Sequence, residues 1–268
     1  MYYYKVIISY KGTRYFGWQA QAVAIGNEEK PTVQGTIHHA LKKIAKYKDC
    51  TIAGASRTDA GVHAQGQLAK FSIPLYLAAD KLLQGMNSLL PDDIRILECA
   101  VCAKEFNPNT SSASKEYHYY FSTAQVENPA LSDVVASISG HIDLQEMQGA
   151  CKLFIGEHDF YNFCSRDPHG ATTVRSISCC EIHKADFSPF GEDIFYLKIS
   201  GNGFLKYMIR YIAGALFKVL QGKIGLDDLV NYLQYHQEDK LSAKAKSKGL
   251  HLIRIHEKHR PRHTIHIP

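Results

Sequence analysis

The chain has 268 residues, of which 45% are hydrophobic and 21% are charged, an ordinary composition for a globular protein of one large or two medium domains. The net charge of +5 permits an acidic partner such as nucleic acid, but it does not require one. No apolar run approaches the length of a membrane span, and the first residues lack the pattern of a secretory leader. We therefore expect a cytoplasmic protein.

The seven cysteines also favour a reducing compartment, because their number is odd and their spacings are irregular. Cys99 and Cys102 form a C-x-x-C pair, but no second pair completes a zinc site. We interpret these two cysteines as small core residues.

The first 104 residues contain strand and helix patterns in the order strand, helix, strand, strand, helix, strand. Apolar residues alternate over Tyr2–Tyr10 as in a strand, and Thr32 is predicted to cap the helix that follows. The other expected elements are strands over Thr51–Ala55, Gln67–Ile73 and Ile94–Val101, and helices marked by Val33–Ile44 and by Leu82–Leu90 before Pro91. This is the order of a ferredoxin-like unit.

The remaining residues repeat that order. The expected elements are strands over Lys115–Ser122, Val174–His183, Ile194–Ser200 and Leu250–His256, and helices over Leu144–Phe154, Leu205–Gln221 and Leu226–Leu233. We predict an α+β fold of two tandem ferredoxin-like (βαββαβ) halves, 1–104 and 105–268, which form a central, largely antiparallel sheet with flanking helices.

Two polar segments, Ala20–Pro31 and Asp239–Lys248, interrupt the pattern and are predicted to be mobile. The second segment contains four lysines, which are either solvated or available to phosphates.

A glycine-rich stretch, Gly54–Gln67, joins two predicted strands of the first half and indicates a tight loop. Within it, Arg57, Thr58 and Asp59 place a basic group, a hydroxyl and a carboxylate in three successive positions. Such an aspartate is either a turn former that binds its own backbone or a catalytic group on a rigid scaffold. The loop alone leaves both interpretations open.

Short motifs follow one another along nearly the whole chain. The most specific is RTDAGVHA at residues 57–64. The others are YKGT at 10–13, GWQ at 17–19, TVQ at 32–34, KEYHY at 115–119, GEHDF at 156–160, FL at 204–205, MIR at 208–210 and GL at 249–250. Together they resemble the tRNA pseudouridine synthase A family.

The resemblance implies the pseudouridine synthase fold and the isomerisation of uridine to pseudouridine at positions 38–40 of the tRNA anticodon arm. It also implies a homodimer that shares each tRNA between subunits, and a reaction without a metal or an organic cofactor. By motif, the essential aspartate is Asp59, the active-site tyrosine is Tyr117, the basic partner is Arg210 and the pocket leucine is Leu250. On this assignment the first half carries the catalytic loop, and the second half completes the active site and the RNA cleft.

The chemistry implied by the resemblance suits these residue types. Cleavage of the bond between N1 of uracil and C1′ makes C1′ cation-like, and a carboxylate can act there as nucleophile, electrostatic partner or base. We expect Asp59 in that role, without a choice among the three routes, and Arg210 as the cation that keeps it ionised in a closed pocket. We expect Tyr117 to stack on the freed uracil, with its phenol near the C5 proton; the alternative is cross-strand packing beside Tyr119.

Several basic residues are candidate RNA contacts. Arg57 is expected to pair with a phosphate, to shape the pocket, or to fill the space that a flipped uridine leaves. The candidate phosphate contacts are Lys5, Arg14, Lys70, Lys115 and Lys206, each of which could equally be solvated.

Three positions depart from the usual pattern of the family. Ser56 stands where glycine usually precedes R-T-D, and Lys206-Tyr207 precedes Met208 where histidine is common. The family's F-H-A-R segment is Phe106-Asn107-Pro108-Asn109 here, so a histidine and an arginine are replaced. These departures concern the choice of target uridine more than the reaction.

Three other functions compete with this interpretation. The chain could be a paralogue that modifies another RNA position, as the altered 106–109 segment allows. It could be a non-catalytic tRNA-binding module, against which the intact Asp59, Tyr117 and Arg210 argue. A metal-dependent hydrolase is disfavoured, because no H-x-x-x-H motif with a carboxylate occurs among the 14 histidines.

Overall fold

The alternating pattern at the N-terminus forms the strand that the sequence predicts. In the computed structural model, which describes residues 1–20, 31–140, 142–165, 172–187 and 193–258, β1 (Tyr2–Tyr10) buries Tyr4, Val6, Ile8 and Tyr10 on one face. The rest of the first half comprises α1 (Val33–Ile44), β2 (Thr51–Gly54), β3 (His63–Ile73), α2 (Ala79–Leu89) and β4 (Ile94–Val101). Thr32 caps α1 as expected, since its hydroxyl accepts a hydrogen bond from the backbone N–H of Gly35 at 3.2 Å.

The second half adds two short strands that the sequence patterns do not predict, β6 and β7. Its elements are β5 (Ser112–Ser122), β6 (Ala136–Ser137), α3 (Leu144–Lys152), β7 (Gly156–Asp159), β8 (Val174–Lys184), β9 (Ile194–Gly201), α4 (Met208–Leu220), α5 (Leu226–Gln234) and β10 (Leu250–Glu257). The strand predicted to begin at Gln67 begins at His63, and the helix predicted from Leu205 begins at Met208. The helix starts late because Tyr207 has a left-handed backbone, with φ of 64°.

The described strands form one sheet in the order β4-β1-β3-β10-β5-β9-β8-β7, with β2 paired to β3 and β6 paired to β5. All of their pairings are antiparallel except β3 with β10 and β5 with β6. In each half the main strands therefore lie in the ferredoxin-like order fourth, first, third, second. The predicted fold of two ferredoxin-like halves in a largely antiparallel sheet is confirmed, whereas the boundary at residue 104 stays a prediction.

The seam between the halves lies along one edge of β3. β2 pairs with the later part of β3, at Ala69–Ser72, and β10 pairs with its first residues, His63 and Ala64. The loop between β2 and β3 therefore leaves the sheet where the two halves meet. This topology places Asp59 beside elements of the second half.

Two predictions about individual segments are wrong. Cys99 and Cys102 are only partly buried, because they lie near and beyond the end of β4, away from its buried residues Ile94 and Ile96, although Cys99 still packs against the core. The segment Asp239–Lys248 is packed rather than solvated: Leu241, Ser242 and Ala245 within it are buried. Of the other segment predicted to be mobile, residues 21–30 lie outside the described residues.

Candidate active site

The loop that carries Asp59 is anchored at its start by a buried glutamine. Gln67 of β3 accepts a hydrogen bond from the backbone N–H of Ser56 at 3.1 Å, and its amide donates to the Ser56 carbonyl at 2.6 Å. Gln67 is fully buried, so both bonds are shielded from water. The glutamine amide thus fixes the backbone three residues before Asp59.

A second loop, residues 11–19, holds the other side of the Asp59 loop. The backbone N–H of Trp18 donates to the Thr58 carbonyl at 3.0 Å, and the Tyr10 hydroxyl lies 2.7 Å from the Thr58 hydroxyl. Gly17 has a φ of 93°, and a Cβ there would lie 2.7 Å from the Thr58 carbonyl oxygen. A side chain at position 17 would therefore push the two loops apart.

Asp59 faces Arg210 of α4 across the seam. Nη1 of Arg210 lies 3.4 Å from Oδ2 of Asp59, and the two side chains are only 14% and 19% exposed. Burial raises the pKa of Asp59, and Arg210, Lys206 and Lys244 counteract part of that increase. The cation expected from the sequence is present, but it does not fully offset the cost of burying the carboxylate.

Tyr117 and Leu250 lie in the same cleft as Asp59. The Tyr117 hydroxyl is 2.7 Å from the Ser56 hydroxyl, and the Tyr117 ring meets Phe204 edge-on, with 5.4 Å between centroids. Burial raises the pKa of Tyr117 to about 12, so its phenol is protonated at neutral pH. Leu250, the first residue of β10, is buried in the lining of the cleft.

The cleft itself has a volume of about 1680 Å³ and takes its walls from both halves of the chain. The first half supplies part of α1 and the Asp59 loop; the second supplies β5, Leu250 and the start of α4. Asn107 and Asn109, which stand where the family pattern has histidine and arginine, also line the cleft. Ser56, Lys206 and Tyr207 line it as well, so all three departures from the family pattern lie at this surface.

The structure brings some of the candidate RNA contacts into the cleft and leaves others outside its lining. Arg57, Lys115 and Lys206 line it; Arg57 is exposed, and Lys115 donates to the Ala55 carbonyl at 2.7 Å. Burial lowers the pKa of Lys115.

The remaining candidates are occupied elsewhere. Arg14 forms an ion pair with Asp93 at 2.7 Å and Lys5 pairs with Glu257 at 2.8 Å, while Lys70 donates to the Lys104 carbonyl.

Sequence reasoning assigned no role in the site to three residues of the cleft region. Ser56 and Tyr207 were noted only as departures from the family pattern, although their places beside the R-T-D and M-I-R motifs could have marked them as neighbours of the site. Gln67 gives no such signal, because a buried glutamine in a strand follows no sequence pattern.

Comparisons with known proteins match this chain to one family. A family model described as tRNA pseudouridine synthase matches residues 6–106 and 150–256. The chain is 58% identical over 259 residues to tRNA pseudouridine synthase A 2 of Desulfotalea psychrophila, which covers 95% of this chain and 98% of the relative. It is 34% identical over 253 residues to tRNA pseudouridine synthase A of Listeria innocua, with 94% and 98% covered.

The chain therefore belongs to the tRNA pseudouridine synthase family. It is an isomerase that forms pseudouridine in tRNA. The family and the enzyme class predicted from the motifs are confirmed.

Two kinds of feature are absent from the described residues. No group of three or more His, Cys, Asp or Glu side chains in that part of the chain could hold a metal ion. No helix of the same residues is long and apolar enough to cross a membrane.

Proposed function

We propose that this enzyme isomerises uridine to pseudouridine at positions 38–40 of the tRNA anticodon arm, with Asp59 as the group that acts at C1′. The observation that carries the proposal is Asp59, which lines the cleft with Tyr117 and Leu250 and forms a largely buried ion pair with Arg210. The carboxylate of Asp59 is desolvated, and the nearby cations offset only part of that cost. Such a carboxylate can stabilise the positive charge that develops at C1′ during the reaction.

The target uridine must leave its stack to reach Asp59, at a cost of a few kcal/mol. The cleft has room for a flipped nucleotide. Tyr117 would stack on the uracil and Leu250 would contact its other side. Because the phenol is protonated at neutral pH, Tyr117 would assist loss of the C5 proton as a hydrogen-bonding group or through water, and not as a phenolate.

Arg57 is our candidate for the residue that fills the space left by the uridine. It is exposed at the lining of the cleft, where its guanidinium is free to enter the stem. Arg57→Ala should then slow turnover on full tRNA and spare turnover on an isolated, already unpaired loop. Equal turnover of the variant and the wild type on both RNAs would refute this role.

The phosphate contacts are ranked by their position. We propose Lys115 and Lys206, in the cleft, as closer to the reacting nucleotide. Arg14 and Lys70 would contact more distant phosphates by exchanging their present partners, Asp93 and the Lys104 carbonyl, for phosphate oxygens. Replacing any one of these residues by alanine should make the plot of log binding constant against log salt concentration less steep, by a slope of about one. Binding that does not change with salt would exclude a basic RNA surface.

The proposal also covers the target position, the oligomeric state and the cellular compartment. If Asn107 and Asn109 change which uridine is chosen, the chain is a paralogue that modifies another RNA position. We propose a homodimer, tested by sedimentation, and a cytoplasmic enzyme, tested by fractionation of cells.

The decisive experiment measures tritium release from tRNA labelled at C5 of uridine. We expect release by the wild type and by Asp80→Asn, an exposed control on α2, and none by Asp59→Asn. Sequencing of the product then locates the target, and a position outside 38–40 would favour the paralogue. If the wild type binds tRNA but releases no tritium from any tRNA, the non-catalytic module becomes the better interpretation.

A further inference from the structure

Tyr207 has an unusual backbone for an aromatic residue. Its φ of 64° and ψ of 5° are left-handed, and it is the N-cap of α4. L-residues other than glycine rarely adopt this conformation, and they keep it only where the surroundings enforce it. Two hydrogen bonds do so here: the Lys206 carbonyl accepts from the Ser165 backbone at 2.9 Å, and the Tyr207 carbonyl accepts from the Tyr211 backbone at 3.0 Å.

The Tyr207 ring lies at the cleft, with three cations around it. Nζ of Lys244 is 4.0 Å from the ring centroid, and Nζ of Lys206 and the guanidinium carbon of Arg210 are each 5.3 Å away. These distances are within the range of cation–π attraction. Three like charges repel one another, so a shared aromatic ring reduces the cost of bringing them together.

Lys244 is held there by its own backbone segment, Leu241–Lys246, which we call the α4 strap. Lys218 of α4 donates to the Leu241 carbonyl at 2.7 Å, and the Ser242 hydroxyl donates to the Tyr211 carbonyl at 3.1 Å.

Arg210 closes the attachment of the strap with two further hydrogen bonds. Its carbonyl accepts from the Ala245 backbone at 2.9 Å, and its Nε donates to the Ala245 carbonyl at 2.8 Å. Gly214 makes the close contact possible, since a Cβ there would lie 2.2 Å from the Ala243 carbonyl oxygen.

The same three cations act on Asp59. The charges that most favour its ionised form belong to Arg210 of α4, Lys206 of the turn before α4 and Lys244 of the α4 strap, while Tyr117, Arg57 and Lys115 line the same cleft. The Tyr207 ring therefore contacts the three cations with the largest effect on Asp59.

We propose that Tyr207 is a positioning residue of the active site, whose ring face holds Lys244 and Arg210 as a cationic wall opposite Asp59. Lys244 is thereby a second cation of the site, placed by the α4 strap. The left-handed backbone of Tyr207 lies where the chain enters α4, and the residue lines the cleft. This inference extends the proposed function, but its first readout does not depend on it.

The test is an NMR titration of the Asp59 carboxyl in protein with ¹³C-labelled aspartate, with Asp59→Asn to assign the signal. Lys244→Gln and Tyr207→Asn should each raise the Asp59 pKa by about half a unit or more. Asparagine is chosen at position 207 because it tolerates a left-handed backbone. Tyr207→Phe, which keeps the ring, and Lys246→Gln, an exposed control on the α4 strap, should leave the pKa unchanged. An unchanged pKa in both Lys244→Gln and Tyr207→Asn would overturn the proposal.

A second measurement protects the test against a variant that does not fold. In the wild type, the ring current of Tyr207 should shift the Cε protons of Lys244 upfield, and random-coil shifts there would contradict the contact. Neither NMR readout needs tRNA, so both judge the inference even if tritium release fails. In the active enzyme, the acid limb of the kcat profile should move to higher pH in Tyr207→Asn and Lys244→Gln.

Discussion

The two faces of the sheet around β5 both hold titratable groups withdrawn from water, but they differ in what lies beside those groups. On one face, Tyr117 lies in the cleft with Asp59. On the other, the Tyr120 ring meets His251 edge-on with 5.0 Å between centroids, and His251 stacks on His63 at 4.5 Å. Burial raises the pKa of Asp59 and lowers those of His63 and His251 to about 4 and about 3.

The difference shows that a shifted pKa does not by itself mark an active site. The Asp59 carboxylate opens onto a cleft of about 1680 Å³. The histidine rings are packed against each other, and each has a hydrogen-bonded nitrogen: His63 accepts from the Gly12 backbone at 3.1 Å, and His251 bonds the Val134 carbonyl at 2.9 Å. The first site can admit a substrate, whereas the second has the features of structural packing.

The two faces also respond to pH with opposite sign. Because the pKa of folded Asp59 is raised, its ionised form costs stability at neutral pH, and that cost is relieved as the pH falls. Because the pKa values of His63 and His251 are lowered, the unfolded chain binds more protons than the folded chain below about pH 6.5. Their contribution to stability therefore disappears as the pH falls from about 6.5 towards 4.

The largest effect should come from the cleft face, through Arg210→Gln. Loss of the guanidinium leaves Asp59 buried without its nearest cation and should lower kcat about a thousandfold. Arg95→Gln is the matched control, since Arg95 pairs with Asp92 at 2.7 Å outside the lining of the cleft. If Arg210→Gln releases tritium at a rate within tenfold of that of Arg95→Gln, the Asp59–Arg210 pair has a structural role, like the histidine pair on the other face.

A smaller effect is expected on the opposite face, through His251→Phe. In urea unfolding of the wild type, the free energy of unfolding should be lower at pH 5 than at pH 8. Each of the two buried histidines should account for about 2 kcal/mol of that difference. The phenylalanine variant should lose about that much of the pH dependence, because only His63 still titrates in the pair. A variant slope equal to the wild type would mean that His251 is hydrated in solution.

How far the sequence predicts these two faces depends on the range of the interactions. β1 is predicted in full because Tyr4, Val6 and Ile8 alternate in the chain itself, whereas β7 has no apolar alternation over Gly156–Asp159 and is not predicted. The packing of Asp239–Lys248 is not predicted because the lysines conceal its buried residues and its contacts are with α4, earlier in the chain.

The site depends on even longer-range contacts. Asp59 and Arg210 are 151 positions apart, so no local pattern joins them. Only the family motifs place both residues in one site, and those motifs do not describe the residues in which this chain departs from the family. The Ser56 and Tyr207 contacts therefore required the structure.

The smallest effect should come from Ser56, and it separates positioning from packing on the cleft face. Ser56→Ala leaves the buried Tyr117 hydroxyl without its 2.7 Å partner, so we expect kcat to fall about tenfold and the free energy of unfolding by about 1 kcal/mol. If Ser56 acts by orienting the phenol, Ser56→Ala should change kcat little in a Tyr117→Phe background, where there is no hydroxyl to orient. Equal losses of kcat in both backgrounds would assign Ser56 a role independent of Tyr117. The double-mutant cycle thus decides whether the serine positions the tyrosine, because a hydroxyl that only fills space would cost the same whether or not the phenol is present.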